Sequence, residues 1–264
     1  MELHTLDIRL DCAALHLARD AFPNIDVVGY LRRLDDLADQ VAAEKPGVSA
    51  NLRYDAMRRV LVEVHELHGN VDDYYDPDNS FINRVLDRGL GAPITLSVVW
   101  MEVARRLKWP VFGLGLPGHF IIRFDDPERF VLVDPFYDGR TLRIEDCRRL
   151  LEHNFDGKVQ FNSRFLLPVD TRTVLARMLN NLRNIYVANQ NWARVADVLR
   201  RLATVEPHNS AHLHELAGLL YHHGNVRGAY AHLSAYLSRQ QDSDDQLLVR
   251  ERLAHLEAVI ALMN

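Results

Sequence analysis

Gly91-Ala92-Pro93-Ile94-Thr95-Leu96, Pro117-Gly118-His119-Phe120 and Val133-Asp134-Pro135-Phe136 are the three phrases of this 264-residue chain on which its fold turns. In the first, a proline follows a Gly-Ala pair where its missing N–H would be unsatisfied anyway, so it opens a helix. The run from Ile94 to Leu107 is apolar on most sides as far as Glu102, which predicts a buried central helix. After Pro110 the period changes. Val111 to Leu116 predicts a strand, and His119 to Phe124 and Arg129 to Asp134 predict two more, joined as a hairpin by Asp125-Asp126-Pro127-Glu128. With that loop Phe124 faces Arg129, and His119 falls opposite Asp134, about 5 Å away at Cβ. A carboxylate there fixes an imidazole tautomer. A one-residue slip would send the two side chains to opposite faces.

Working outward, Val27, Leu31, Leu34, Ala38 and Val41 form one apolar helical stripe, with Asp26 as its N-cap. A second stripe, Leu52, Met57, Val60, Leu61, Val64 and Leu67, is expected to stop at Gly69-Asn70. Residues 71–80 form an acidic, turn-rich loop, after which Asn79 or Ser80 is expected to cap a short helix ending at Gly89 and Gly91. Helical signals return from Ile144 to Asn154, and Leu167-Pro168-Val169-Asp170 marks a domain boundary. Beyond it, Leu179, Leu182, Tyr186, Val195, Leu199 and Leu202 recur 34 residues later as Leu213, Leu216, Leu220, Ala229, Leu233 and Tyr236. That is the period of a tetratricopeptide helix pair. Gly224-Asn225 lies where the helices of the second pair part, and residues 243–262 predict a capping helix.

The order of the three opening phrases resembles the transglutaminase and papain-like core, where a cysteine begins a central helix and a histidine and an aspartate follow on neighbouring strands. More narrowly, residues 71–137 resemble the bacterial family that joins a transglutaminase-like core to tetratricopeptide repeats. Tyr74-Tyr75-Asp76-Pro77-Asp78-Asn79-Ser80-Phe81 and Gly91-Ala92-Pro93-Ile94 carry that closer match. The resemblance implies an α+β fold. Residues 1–168 would be a transglutaminase-like domain, with a helical layer over 1–70 and a core with a small antiparallel sheet over 71–168. Residues 169–264 would be helical repeats with a capping helix. It also implies His119 and Asp134 as the acid–base pair and Tyr75 and Asn79 as cleft-lining residues.

The same resemblance places the family cysteine at Pro93. Proline offers no nucleophile and no N–H for an oxyanion. Cys12 lies in the N-terminal helices, and Cys147 follows the Asp134 strand in an order that the family does not use. Thr95 and Ser97 are the remaining hydroxyls, both rotated away from the direction of Pro93, Thr95 being the less badly placed. The plainer role for either is a bond to a carbonyl one turn back.

The rest of the sequence narrows the function classes. A formal net charge of -5 argues against a protein built around a nucleic-acid backbone. Two cysteines fit a reducing compartment. No basic-then-apolar leader opens the chain and no stretch approaches a membrane span, so a cytoplasmic location is expected. His65-Glu66-Leu67-His68 is one residue short of the spacing that chelates zinc, and the histidines from His208 to His232 are expected on repeat surfaces, so no metal or cofactor is expected. The reading is a non-catalytic binding or regulatory protein whose repeats hold a protein or peptide partner. Its competitor is a hydrolase or amide transferase using Thr95 or Ser97 with His119 and Asp134.

Overall fold

The computed structural model describes residues 8–239 and 246–263, and the chain divides into two compact units, Met1–Met178 and Leu179–Asn264. The N-terminal residues behind the leader expectation, and residues 243–245 of the expected capping helix, lie outside the described residues.

In the first unit, α1 (Leu10–Ala18) precedes α2 (Val27–Ala43), which Asp26 caps by accepting the Gly29 N–H. Leu34, Ala38 and Val41 of the predicted stripe are buried. The next helix does not run to Gly69. Helix α3 (Ala50–Arg58) widens into a π-helical turn, Arg59–Val64, which ends at His65. His68–Gly69 is instead a short strand, β1, parallel to β2 (Leu90–Gly91). The cause is a close approach: a Cβ on Gly69 would lie 2.4 Å from the Phe136 carbonyl oxygen, to which the Gly69 N–H donates at 3.0 Å. Asn79 and Ser80 do not cap the following helix either. They end a 3-10 turn, Pro77–Ser80, and α4 (Ile82–Arg88) begins after Phe81. Gly89 closes α4 in the left-handed region, with φ 75°.

Pro93 is the first residue of α5 (Pro93–Arg106), whose Leu96, Val98, Val99, Trp100, Val103 and Ala104 are sealed from solvent. Helix α1 is tied to α5 by charge. The fully buried Asp11 carboxylate accepts hydrogen bonds from Arg9, Arg105 and Arg106, and Glu102 accepts from the latter two.

The sheet is an antiparallel meander of β3 (Val111–Leu114), β4 (Ile121–Asp125), β5 (Phe130–Asp134) and β6 (Arg140–Leu142), in that order. The sequence pattern misses β6, which has three residues. The hairpin register differs from the predicted one by two. Ile122 pairs with Val133 and Asp125 with Phe130, so Phe124 does not face Arg129, and His119 precedes the strand. Asp126 sets the offset. Its carboxylate accepts the N–H groups of Glu128 and Arg129 and its own N–H donates to the Arg129 carbonyl, which makes 126–129 the loop. An even offset keeps the side chains of the paired residues on their predicted faces, and His119 lies outside them. Helix α6 (Ile144–Phe155) lays Cys147 against Leu114, Leu116, Ile121 and Leu132.

The division into units falls within α7 (Thr171–Ala188), which α8 (Trp192–Val205), α9 (Ala211–His222), α10 (Val226–Arg239) and α11 (Gln246–Leu262) follow. All twelve residues of the 34-residue recurrence are buried. The repeat extends to the turns. Gln190 and Gly224 both have positive φ, 54° and 77°, and the side chains of Asn191 and Asn225 accept the N–H groups of Arg194 and Gly228.

Candidate functional site

The start of α5 is pinned from two sides. The Ala92 N–H donates to the Asn79 carbonyl at 2.9 Å, and the Asn70 N–H donates to the Gly91 carbonyl at 3.1 Å. Pro93 is buried at the helix's first position. Ser97 Oγ donates to the Pro93 carbonyl at 2.7 Å, the one-turn-back bond expected of a helical hydroxyl. Thr95 is fully buried, and among the described residues its Oγ1 finds no hydrogen-bond partner.

His119 sits just past a turn in which Gly118 has φ 69°. Arg177, from the first unit's part of α7, donates to the carbonyls of Leu116 and His119 at 2.8 and 2.9 Å and so fixes this turn. Burial draws the Arg177 pKa below its ordinary value. Asp134 ends β5 fully buried, its Oδ1 accepting the Phe136 N–H at 3.2 Å and its Oδ2 the Arg140 guanidinium at 3.4 Å. His119 Nε2 lies 3.0 Å from Asp134 Oδ1, the distance of an ion pair. The ring N–H does not aim at that oxygen, however, and among the described residues Nε2 has no hydrogen-bond partner. His119 itself is 8% exposed. Thr95 Oγ1 and His119 Nε2 are therefore not bonded to each other.

Aromatic rings enclose the imidazole. Phe136 meets it edge-on and Tyr137 at a tilt, with centroids 6.4 and 6.3 Å away, and the Arg140 guanidinium covers Tyr137 at 4.3 Å. Tyr74 packs on Phe136, and burial raises its phenol pKa. Of the two residues expected to line a cleft, Tyr75 stands 69% exposed beside Tyr74, whereas Asn79 is completely buried. The Asn79 side chain donates to the carbonyls of Asp73 and Tyr74 and accepts from the Asn70 amide, which fastens the acidic loop from inside. Sequence reasoning missed Arg140 and Arg177. Nothing near His119 in sequence announces a donor 58 residues away.

Neither cysteine takes the nucleophile's place. Burial, then the charges of Asp146 and Asp134, push the Cys147 thiol up to about 11. Cys12 is raised as well, by burial and then by Asp11. Thiolates are the reactive form, so the native protein should react slowly with Ellman's reagent, at Cys12 alone. Titration in urea should then release the second equivalent. His65 contacts Gln40 and His68 contacts Asp138, and among the described residues no group of three His, Cys, Asp or Glu side chains is arranged to hold a metal ion.

Residues 29–180 match the model of the transglutaminase-like superfamily, and residues 182–254 that of the tetratricopeptide repeat. The chain belongs to the transglutaminase-like superfamily. Among its relatives, the UPF0162 protein of Xylella fastidiosa is 34% identical over 248 residues, 92% of this chain and 88% of the relative. The UPF0162 protein of Pseudomonas aeruginosa is 30% identical over 247 residues, 92% and 89% of the two chains. Human F-box only protein 21 is 29% identical over 139 residues, 50% of this chain but 21% of the relative. No solved structure matches significantly. This transglutaminase-like chain thus carries an α+β core followed by helical repeats, an architecture in which the repeats are of a kind that binds proteins. Among the described residues no helix is long and apolar enough to cross a membrane.

Proposed function

We propose that this transglutaminase-like protein is a non-catalytic binding or regulatory protein, its repeats holding a segment of a partner protein and its core retaining His119 and Asp134 without a nucleophile. The observation that carries this reading is Pro93 at the first position of α5, where the resemblance puts the cysteine, together with a His119 Nε2 to which, among the described residues, no hydroxyl or thiol is bonded. A buried His–Asp contact lacking hydrogen-bond geometry orients the ring poorly for proton transfer. The family cores and the repeat match support the two halves of the proposal, and the cytoplasm is the compartment it requires.

One observation favours a second reading. The unpartnered Thr95 hydroxyl leaves a threonine-dependent hydrolase or amide transferase open to test. Dansylcadaverine incorporation into casein and hydrolysis of p-nitrophenyl acetate separate the two. Full-length protein is expected to show no turnover above that of its His119→Ala variant. Turnover lost in both His119→Ala and Thr95→Val would establish the enzyme instead. Under the non-catalytic reading Thr95→Val should raise stability by about 1 kcal/mol, because it deletes a buried hydroxyl that gains nothing for its desolvation.

A further inference from the structure

Arg177 is half-buried in the first unit and, among the described residues, meets no carboxylate. Arg88, Arg106 and Arg123, likewise half-buried, each hold one. A charge withdrawn from water is costly unless it is paired, so the exception calls for a reason. Both hydrogen bonds of Arg177 leave from Nη2, to the carbonyls of Leu116 and His119, and the Phe120 ring covers the guanidinium with its centroid 5.3 Å away. The N–H groups of Nε and Nη1 are left without an acceptor among the described residues. They are not sealed from solvent either: the sealed side-chain atoms without a partner belong to Asn83, Thr95, Trp100 and His119.

Two neighbours add independent observations. A Cβ on Gly115 would stand 2.8 Å from Nη1 of a guanidinium that the Nη2 bonds hold in place, so the glycine keeps room for the charge. Tyr74 is the titratable group whose charge acts on Arg177; it is exposed, and its hydroxyl bonds to nothing among the described residues. A guanidinium and a phenol thus stand together with donors to spare and no acceptor.

We propose that Arg177 and Tyr74 form a binding site for the carboxylate of a small, singly charged ligand with an apolar body. The guanidinium brings one positive charge and the phenol none, so one negative charge balances the site, whereas a phosphate dianion would carry an unmatched charge into a partly dehydrated place. The exposed rings of Tyr74 and Tyr75, packed on each other with centroids 5.3 Å apart, supply surface for the apolar body. The reading above gives the core no ligand of its own, and this inference goes beyond it and stands or falls separately.

Isothermal titration calorimetry on the full chain tests it with phenylbutyrate, its neutral amide and inorganic phosphate. The carboxylate should bind about tenfold or more tighter than the amide, and Arg177→Gln should weaken it about tenfold, the loss expected for a charged hydrogen bond. Because Arg177 also holds the His119 turn, Tyr74→Phe is the second variant. It removes a hydroxyl on which no bond among the described residues depends, and it should weaken binding about threefold with the melting temperature unchanged. No heat of binding, equal affinity for carboxylate and amide, or affinity untouched by both substitutions would each overturn the site. Phosphate binding that needs Arg177, with the carboxylate rejected, would make it a phosphate site and overturn the proposal as well.

Discussion

Replacing Asp11 by alanine should cost the first unit about 3 kcal/mol of stability. The Asp11 carboxylate has no exposure and collects hydrogen bonds from Arg9, Arg105, Arg106 and the Cys12 N–H. Without it, Arg106 keeps Glu102 and Asp35, so the loss falls at the low end for a broken buried ion pair. Urea unfolding in a Trp192→Phe background, where Trp100 and Trp109 remain as reporters, measures the loss; a change below about 1 kcal/mol would mean that the network contributes no more than a surface pair. The effect should also depend on pH. Burial alone would raise the Asp11 pKa, but its hydrogen bonds outweigh burial and hold it well below the usual carboxylate range. A depressed carboxylate stabilises fully above its unfolded pKa of about 3.9 and loses that contribution as pH falls toward the folded value. The gap between wild type and Asp11→Ala should therefore be complete at neutral pH and shrink below about pH 4. Glu102 works in the opposite sense. Burial, then the Asp11 charge, raise its pKa, so its contribution is present at low pH and is lost as pH rises through the folded value.

Asn79→Ala is expected to cost about 2 kcal/mol and to loosen the loop it fastens. It would leave the buried Asn70 amide without its acceptor and the carbonyls of Asp73 and Tyr74 without their donor. Asn79→Asp should be worse despite its nearly identical shape, because a carboxylate would then face two carbonyl oxygens where an amide now donates. Hydrogen exchange over residues 70–76, followed by mass spectrometry, should speed up in both variants, more so in the aspartate. Unchanged exchange would show that the loop is held by its backbone alone. Since Tyr74 packs on Phe136 and Phe136 on His119, the same variants should disturb the rings around the imidazole.

The elements that the sequence discloses are those specified by local periodicity. Pro93 opens α5, Asp26 caps α2, and each residue of the 34-residue recurrence is buried, because one helix face decides each of these. What stays hidden depends on distant backbone. Gly69 looks like a helix terminator until Phe136 arrives against it, and Asn79 looks like a cleft residue until the Asn70 amide and the loop carbonyls surround it. Arg177 reaches the His119 turn from another helix, and no spacing rule encodes that. At the candidate site, alternation predicts that His119 meets Asp134, but His119 stands before β4, next to the turn that Arg177 holds, and the direction of the imidazole N–H depends on fractions of an ångström that no sequence pattern carries.

The two-residue offset of the β4–β5 hairpin also bears on how such a protein can change over generations. Neighbouring side chains on a strand point opposite ways, so substitutions that let β5 slip past β4 by two residues keep Asp134 on its side of the sheet, and those that let it slip by one turn it over. Inheritance thus screens changes in this hairpin by the pairing they leave rather than by the length of its loop.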